Sequence, residues 1–224
     1  IFTDLVGAKL KLFRFYDDKG GFNVEGMKEA LLGTKGSTAR VILNFPNNPT
    51  GYTPSKDEAM RIVEAVKSVA DTGKKVLVIS DDAYFGLFFE DGTEKESLFS
   101  FFADAHENIF AIKGDAATKE EMVWGFRIGF ITYASKGFTD EHIDALQKKT
   151  LGAIRCTVSN CDRPGQSLLL KAIKAGDGRE KDKAALFAEM QRRYSAVHKA
   201  VSRHSGESVI TPYPFNSGYF MAFD

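Results

Sequence analysis

Cysteine and proline are scarce in this sequence, with 2 cysteines and 6 prolines among 224 residues. So few cysteines exclude a scaffold built on disulfides. A hydrophobic content of 43% excludes a disordered or collagen-like chain. We expect Cys156 and Cys161 to be reduced, buried thiols of a cytoplasmic protein, and a disulfide between them in an oxidising compartment is the alternative.

Net charge and long apolar runs are missing as well. The 30 lysines and arginines balance 30 aspartates and glutamates, so the chain has no basic excess for nucleic acid or an anionic membrane. No apolar run approaches the roughly 18–20 residues of a membrane span, and no signal peptide opens the chain. We therefore predict neither a nucleic-acid nor a membrane partner, and a cytoplasmic location.

Several common catalytic motifs are also absent. The sequence has no glycine-rich nucleotide-binding motif, no His-Glu-x-x-His and no Gly-x-Ser-x-Gly. Its 4 histidines lack metal-ligand spacing; they are His106, His142, His198 and His204. We predict no metal site, and chemistry based on zinc, nucleotides or a serine triad is disfavoured.

Short apolar runs alternate with helix-like segments along most of the chain. Strand patterns cover 9–16, 40–45, 75–80, 108–113 and 127–133, and helix patterns cover 24–32, 55–71, 140–152, 163–175 and 180–203. This alternation predicts βαβ units, hence an α/β fold with a mostly parallel sheet. Ser55 and Glu58 form a capping box that predicts where one helix begins.

Both ends of the chain suggest a piece of a longer protein. The sequence begins at Ile1, with no initiator methionine, and residues 218–224 are an apolar run typical of the middle of a strand. We expect a partial large domain over residues 1–205. Residues 206–224 are then a linker and the start of a truncated small domain.

Polar side chains follow the predicted strands at the points where those strands end. Asn48 follows the second strand, Asp81 and Tyr84 follow the third, and Lys119 and Arg127 follow the fourth. Ligands of open α/β sheets bind at the carboxyl ends of the strands, so we expect these groups to share one site. Together they suit a ligand with an aldehyde, a phenolic oxygen, a pyridine nitrogen and a phosphate.

In this order the residues resemble three motifs of the class I and II aminotransferases, fold-type-I pyridoxal-phosphate enzymes that include aspartate aminotransferase. The motifs are Asn-Asn-Pro-Thr-Gly at 47–51, Asp-x-x-Tyr at 81–84, and Thr-Lys followed by Gly-Phe-Arg-Ile-Gly over 118–129. The resemblance extends from about residue 16 to 218. It implies a three-layer α/β sandwich whose N-terminal part and small C-terminal domain lie outside this chain, and pyridoxal 5'-phosphate as cofactor.

The resemblance also implies a role for each residue of the site. Lys119 holds the cofactor aldehyde as a Schiff base and then moves the substrate proton. Asp81 pairs with the pyridine nitrogen. Asn48 and Tyr84 hydrogen-bond to the ring oxygen, and Arg127 clamps the phosphate.

Further along, residues 154–160 resemble a segment in which aspartate aminotransferase places an arginine against the distal carboxylate of the substrate. That arginine reaches across a dimer interface, which implies a homodimer and makes Arg155 the residue that selects dicarboxylates. A structural role at the interface is the alternative.

Ala116 departs from the family, which commonly has a serine there. Glu120 and Glu121 replace small residues, and we expect both carboxylates to face solvent.

The lead hypothesis is an aminotransferase that moves an amino group between an amino acid, aspartate or glutamate among the candidates, and a 2-oxo acid. A β-lyase or decarboxylase on the same fold remains open, because a fold does not determine a reaction. A third reading is an aminotransferase-like sensor domain of a transcription regulator, whose DNA contacts would lie in another part of the protein.

Overall fold

The computed structural model describes residues 7–203 and 211–224. Its strands are β1 (Thr38–Asn44), β2 (Lys75–Asp81), β3 (Ile109–Ala116) and β4 (Gly129–Ala134). Its helices are α1 (Val24–Leu32), α2 (Lys56–Ala70), α3 (Leu98–Phe102), α4 (Ala117–Glu120), α5 (Asp140–Thr157), α6 (Arg163–Ala175) and α7 (Asp177–Arg203), with a 3₁₀ turn at Trp124–Phe126. Within these ranges, no helix combines the length and apolar character needed to cross a bilayer.

The strands form one sheet in the order β1-β2-β3-β4. β1, β2 and β3 run parallel, and β4 is antiparallel to β3. Asn44 pairs with Asp81 across β1 and β2, and Asp81 pairs with Gly114 across β2 and β3. The predicted α/β fold with a mostly parallel sheet is therefore confirmed. The carboxyl ends of the three parallel strands meet at one edge, which is where the candidate site lies.

Helix α2 covers one face of this sheet through a continuous apolar stripe. Ile62, Val66 and Val69 recur at helical spacing and are fully buried, and they share one cluster with Val78 and Ile109 of the strands. Burying a side chain of this size contributes about 1.5–3 kcal/mol. The stripe thus holds the strand ends in fixed positions relative to each other.

Glu58 of α2 is a buried carboxylate with several donors. It accepts hydrogen bonds from the Phe22 backbone N–H (2.9 Å), the Tyr52 hydroxyl (2.7 Å) and the Ser55 backbone N–H (2.7 Å). The predicted capping box with Ser55 is present. Burial alone would raise the pKa of the Glu58 carboxyl, but the bonds from Tyr52, Ser55 and Phe22 outweigh burial and lower the pKa below 4.5.

We expect Glu58→Gln to lower the free energy of unfolding by about 2–4 kcal/mol at neutral pH, because an amide cannot satisfy all three donors. Because the pKa of the Glu58 carboxyl is lower in the folded than in the unfolded chain, its ionisation stabilises the fold at pH values above the unfolded pKa. This stabilisation is lost as pH falls through the folded pKa. The deficit should therefore shrink in acid. Urea unfolding at several pH values measures it, with Glu64→Gln, an exposed carboxylate on the same helix paired with Lys67, as the control. Equal losses in the two variants would contradict this role.

The predicted strand at 9–16 is wrong. Phe13 and Phe15 pack against the core while Leu10 and Leu12 are exposed, so the alternation does reflect two faces. Within the described residues, however, this segment has no partner strand, and its one bridge joins Tyr16 to Phe22. An extended chain without a neighbouring strand forms no sheet.

The apolar run at 218–224 is not a regular strand either. The described segment 211–224 folds back on itself, and an isolated bridge joins Pro212 to Phe223. Ser217 is buried against the loop after β1, where its backbone N–H donates to the Gly51 carbonyl at 2.9 Å. His204 and residues 206–210 of the expected linker lie outside the described residues.

Candidate active site

Asn44, the last residue of β1, organises the edge of the sheet. Its side-chain amide donates to the Asp81 carbonyl at 3.0 Å, and its Oδ1 accepts from the Asn48 backbone N–H at 2.8 Å. One side chain thus ties the end of β2 to the loop that carries Asn48. Sequence reasoning did not select Asn44 for the site. Its position at a strand end, opposite an aspartate in the next strand, is the signal that could have found it.

Asn48, Tyr84 and Lys119 come together at this edge. The Asn48 amide Nδ2 donates to the Tyr84 hydroxyl at 3.2 Å, and Lys119 Nζ lies 5.6 Å from the centre of the Tyr84 ring. Because the phenolic oxygen already accepts from Asn48, the hydroxyl proton of Tyr84 is left to be donated to a ligand. The three side chains come from the segments that follow β1, β2 and β3, and they can contact one small molecule.

Asp81 and Asp82 are adjacent but lie in different environments. The Asp82 carboxylate is 5% exposed, 3.6 Å from Lys113 Nζ, and burial raises its pKa. Asp81 is half-buried, and its Oδ1 accepts from the Ala83 backbone N–H at 3.2 Å. Among the hydrogen bonds of the described residues, none uses the other carboxylate oxygen of Asp81. Asp82 Oδ2 also accepts no hydrogen bond from a described residue, but it is buried. Of the two carboxylates, Asp81 is therefore the more accessible to a ligand.

Arg127 is exposed and has the left-handed backbone conformation, with φ of 52°. The strand predicted at 127–133 therefore begins two residues later, at Gly129, because the turn at Arg127 ends any regular extension. Buried Ile128 anchors the turn. No hydrogen bond or ion pair joins the Arg127 guanidinium to another described residue, so its donors are available for an anion such as a phosphate.

The C-terminal segment also contributes to the site, which sequence reasoning missed. The rings of Tyr219 and Phe220 lie edge-on to Tyr84, with centroids 5.5 and 5.2 Å from it. Asn216 fastens the segment to the loop after β1, since its side chain both donates to and accepts from the backbone of Thr53. The Tyr-Phe pair immediately after Gly218 is the only sequence signal for this contact.

Gly51 lies where the segment packs directly against the loop. It has φ of +72°, and a Cβ there would lie 2.2 Å from the Phe220 carbonyl oxygen. We expect Gly51→Ala to cost about 3–5 kcal/mol of unfolding free energy, through strain and overpacking together. Gly73→Ala is the matched control, because Gly73 also has positive φ but no atom of the described residues within 4 Å of its Cβ position. In Gly73→Ala, backbone strain alone should lower the free energy of unfolding by about 1–2 kcal/mol. Urea unfolding that found the same loss at both positions would refute the close approach.

Arg155 and the two cysteines lie away from this cluster. Arg155 is exposed near the end of α5, and its Nη1 donates to the Ser159 hydroxyl at 2.6 Å. Among the contacts of the described residues, none joins Arg155 to Tyr84 or Lys119. Cys156 and Cys161 are free and exposed, so the prediction that they are buried is wrong. They lie at the end of α5 and in the following loop, outside both apolar clusters of the described residues.

Comparison with known proteins decides the family. A family model described as aminotransferase class I and II matches residues 3–223. The chain belongs to this family. Its members use pyridoxal phosphate. One relative, the cytoplasmic isozyme 2 of aspartate aminotransferase from Arabidopsis thaliana, is 32% identical over 136 residues, which are 59% of this chain and 31% of the relative.

Solved structures show the same fold. An aminotransferase from Anaerococcus prevotii superposes with a TM-score of 0.82 at 24% identity, over 98% of this chain and 53% of that one. An aromatic-amino-acid aminotransferase from Burkholderia pseudomallei, covalently bound to pyridoxal phosphate, gives a TM-score of 0.65 at 22% identity, over 88% and 47% of the two chains. This chain thus spans about half the length of the structures that it matches.

The residues present fit the polar groups of pyridoxal phosphate. The cofactor has an aldehyde, a phenolic oxygen, a ring nitrogen and a phosphate, and the edge of the sheet offers an amine, an amide and phenol pair, a carboxylate and a guanidinium. Among the described residues, no hydrogen bond uses the second carboxylate oxygen of Asp81 and no partner binds the Arg127 guanidinium, so both groups are available to a ligand.

Proposed function

We propose that the protein carrying this chain is a pyridoxal-phosphate-dependent aminotransferase that moves an amino group from an amino acid to a 2-oxo acid. The cluster of Asn48, Tyr84 and Lys119 beside Asp81 carries this proposal. Bound pyridoxal phosphate supplies an aldehyde for covalent attachment and a ring that withdraws electrons. The protein supplies position, charge and proton transfer.

Each side chain has one task in this proposal. Lys119 Nζ would attach the cofactor aldehyde with loss of water and would be released when the substrate amine takes its place. The freed Lys119 amine would then take and return the proton at the substrate α-carbon. The Asp81 carboxylate accepts a hydrogen bond from the protonated ring nitrogen and keeps that nitrogen charged. Tyr84 donates its hydroxyl proton to the phenolic oxygen, next to the Asn48 amide, and Arg127 holds the phosphate in a bidentate arrangement.

Aspartate or glutamate is our proposed amino donor, with Arg155 of one protomer binding the distal carboxylate in the site of its partner. A homodimer, a cytoplasmic location and the division into residues 1–205 and 206–224 belong to the same proposal. The aspartate aminotransferase relative supports the choice of donor, and the exposed position of Arg155 on α5 leaves its guanidinium accessible to a second subunit.

The amino-donor assay tests this function. The protein carrying this chain, loaded with pyridoxal phosphate, is mixed with aspartate, glutamate or alanine, and the cofactor absorbance and the 2-oxo acid product are followed. We expect a spectral change with aspartate that 2-oxoglutarate reverses, and a loss of roughly tenfold or more in kcat/KM for aspartate in Arg155→Ala, since a charge-assisted pair contributes about 1.5–3 kcal/mol. The kcat/KM of this variant for alanine as amino donor should be unchanged. Equal losses on both donors would rule out the selectivity role, and the absence of any amino transfer would refute the reaction.

A further inference from the structure

The turn that carries Lys119 has little intrinsic stability. α4 is 4 residues long and has no side-chain hydrogen bond at its N-cap, and helices this short are not stable on their own. Met122, directly after the turn, has φ of 56°, a conformation that costs a non-glycine residue roughly 1–2 kcal/mol. Contacts with the rest of the fold must therefore hold this turn in place.

Apolar packing supplies one of these contacts. Ala117 and Ile128 form a small cluster with Leu169 of α6, against which Val123 and Phe126 pack. This cluster includes residues from both ends of the segment between β3 and β4, and it fixes those ends. It does not by itself fix the residues that directly follow Lys119.

Ion pairs to α7 supply the other contact. The Arg179 guanidinium binds the Glu121 carboxylate through both Nε (2.8 Å) and Nη2, and Lys183 Nζ lies 3.0 Å from Glu121 Oε1 and 3.7 Å from Glu120. Arg179 also contacts Glu180. The Glu121 side chain is 13% exposed, so the expectation that it faces solvent is wrong. Sequence reasoning could not find its partner, which lies 58 positions away.

The geometry of this pair favours a positioning role. A bidentate arginine–carboxylate pair restrains both distance and orientation, and removing one partner of a largely buried pair leaves an uncompensated charge. Burial alone would raise the pKa of the Glu121 carboxyl, yet the bonds from Arg179 and Lys183 lower it. Glu121 is two residues from Lys119 and continues the same turn, because its backbone N–H donates to the Ala117 carbonyl at 3.0 Å.

We propose that the Glu121–Arg179 pair, supported by Lys183, anchors the Lys119 turn to α7. The pair thereby positions the Lys119 amine relative to the aldehyde of pyridoxal phosphate. This inference rests on the proposed function for the aldehyde. The pair acts through Lys119 and need not touch the substrate. It also gives a task to Glu121, one of the two carboxylates that depart from the family pattern.

The test compares Glu121→Gln and Arg179→Gln with Arg192→Gln. Arg192 lies on the same helix in an exposed pair with Glu189, so it controls for the loss of an arginine from α7. Hydrogen–deuterium exchange without cofactor reports on the backbone of residues 117–128. Borohydride trapping of pyridoxal phosphate and the pH midpoint of its bound absorbance band report on the amine.

In Glu121→Gln and Arg179→Gln we expect roughly tenfold faster exchange in 117–128, a roughly tenfold slower trapping rate and a shifted midpoint. Arg192→Gln should match the wild type, and the exchanged pair Glu121→Arg with Arg179→Glu should recover part of the loss. Folded variants with wild-type exchange and midpoint would overturn the inference. If wild-type Lys119 traps no aldehyde, the proposed function fails, whereas the exchange measurement still decides whether the pair anchors the turn.

Discussion

Replacing Lys119 by alanine is expected to abolish covalent capture of pyridoxal phosphate and to reduce amino transfer to background. Lys119 is half-buried and its Nζ lies 5.6 Å from the centre of the Tyr84 ring, which places it beside the Asn48–Tyr84 pair. A lysine amine is needed both to attach the aldehyde and to move the α-proton, and alanine does neither. The loss should exceed about a thousandfold, because both tasks are removed together. Absorbance of the bound cofactor and single-turnover kinetics measure the two losses.

Two controls make this result specific. Lys119→Arg keeps the positive charge but cannot form the attachment, so it should fail in the same way as alanine. Lys136→Ala removes an exposed lysine just after β4 and should leave absorbance and turnover unchanged. A Lys119→Ala protein that retained the absorbance band would mean that another lysine binds the aldehyde.

Replacing Arg127 by alanine is expected to weaken the binding of pyridoxal phosphate by roughly a hundredfold, which corresponds to about 3 kcal/mol lost from a charge-assisted bidentate contact. The guanidinium is exposed and has no partner among the described residues, so no internal ion pair is lost and the effect is confined to the ligand. The measurement is the equilibrium dissociation constant of pyridoxal phosphate, from absorbance or fluorescence titration.

Binding of pyridoxal, the phosphate-free form of the cofactor, is the control for Arg127→Ala. Pyridoxal has the same aldehyde and ring but no phosphate, and its affinity for Arg127→Ala should stay within about twofold of the wild-type value. Arg127→Lys keeps the charge but lacks the planar guanidinium that binds phosphate through two N–H groups, so it should recover only part of the affinity. If phosphate and phosphate-free aldehydes lost affinity equally, Arg127 would be supporting the turn before β4 and not the phosphate.

The parts of the fold that sequence predicted well are those with local signals. The apolar spacing of α2 and its capping box at Ser55 and Glu58 determine that helix from neighbouring residues alone. The buried runs of β1, β2 and β3 were found for the same reason. The prediction of a strand at 9–16 was wrong because alternation of apolar and polar residues shows only that a segment has two faces. It does not show whether another strand is there to pair with the segment.

The candidate site divides in the same way. Asn48, Asp81 and Tyr84 could be selected because they end or follow strands, and parallel topology brings strand ends together. Asn44 was missed because its role depends on register with Asp81. The contact of Tyr219 and Phe220 with Tyr84, and that of Glu121 with Arg179, join distant parts of the chain, so no short-range pattern records them.

The most direct test of the central claim is to find where the cofactor attaches. The protein carrying this chain is incubated with pyridoxal phosphate, reduced with borohydride, digested, and examined by peptide mass spectrometry. We predict a single pyridoxyl group on Lys119, in the peptide that joins β3 to the turn before Arg127. A folded protein with no adduct, or with its adduct on another lysine, would contradict the assignment of this edge of the sheet as an aminotransferase active site.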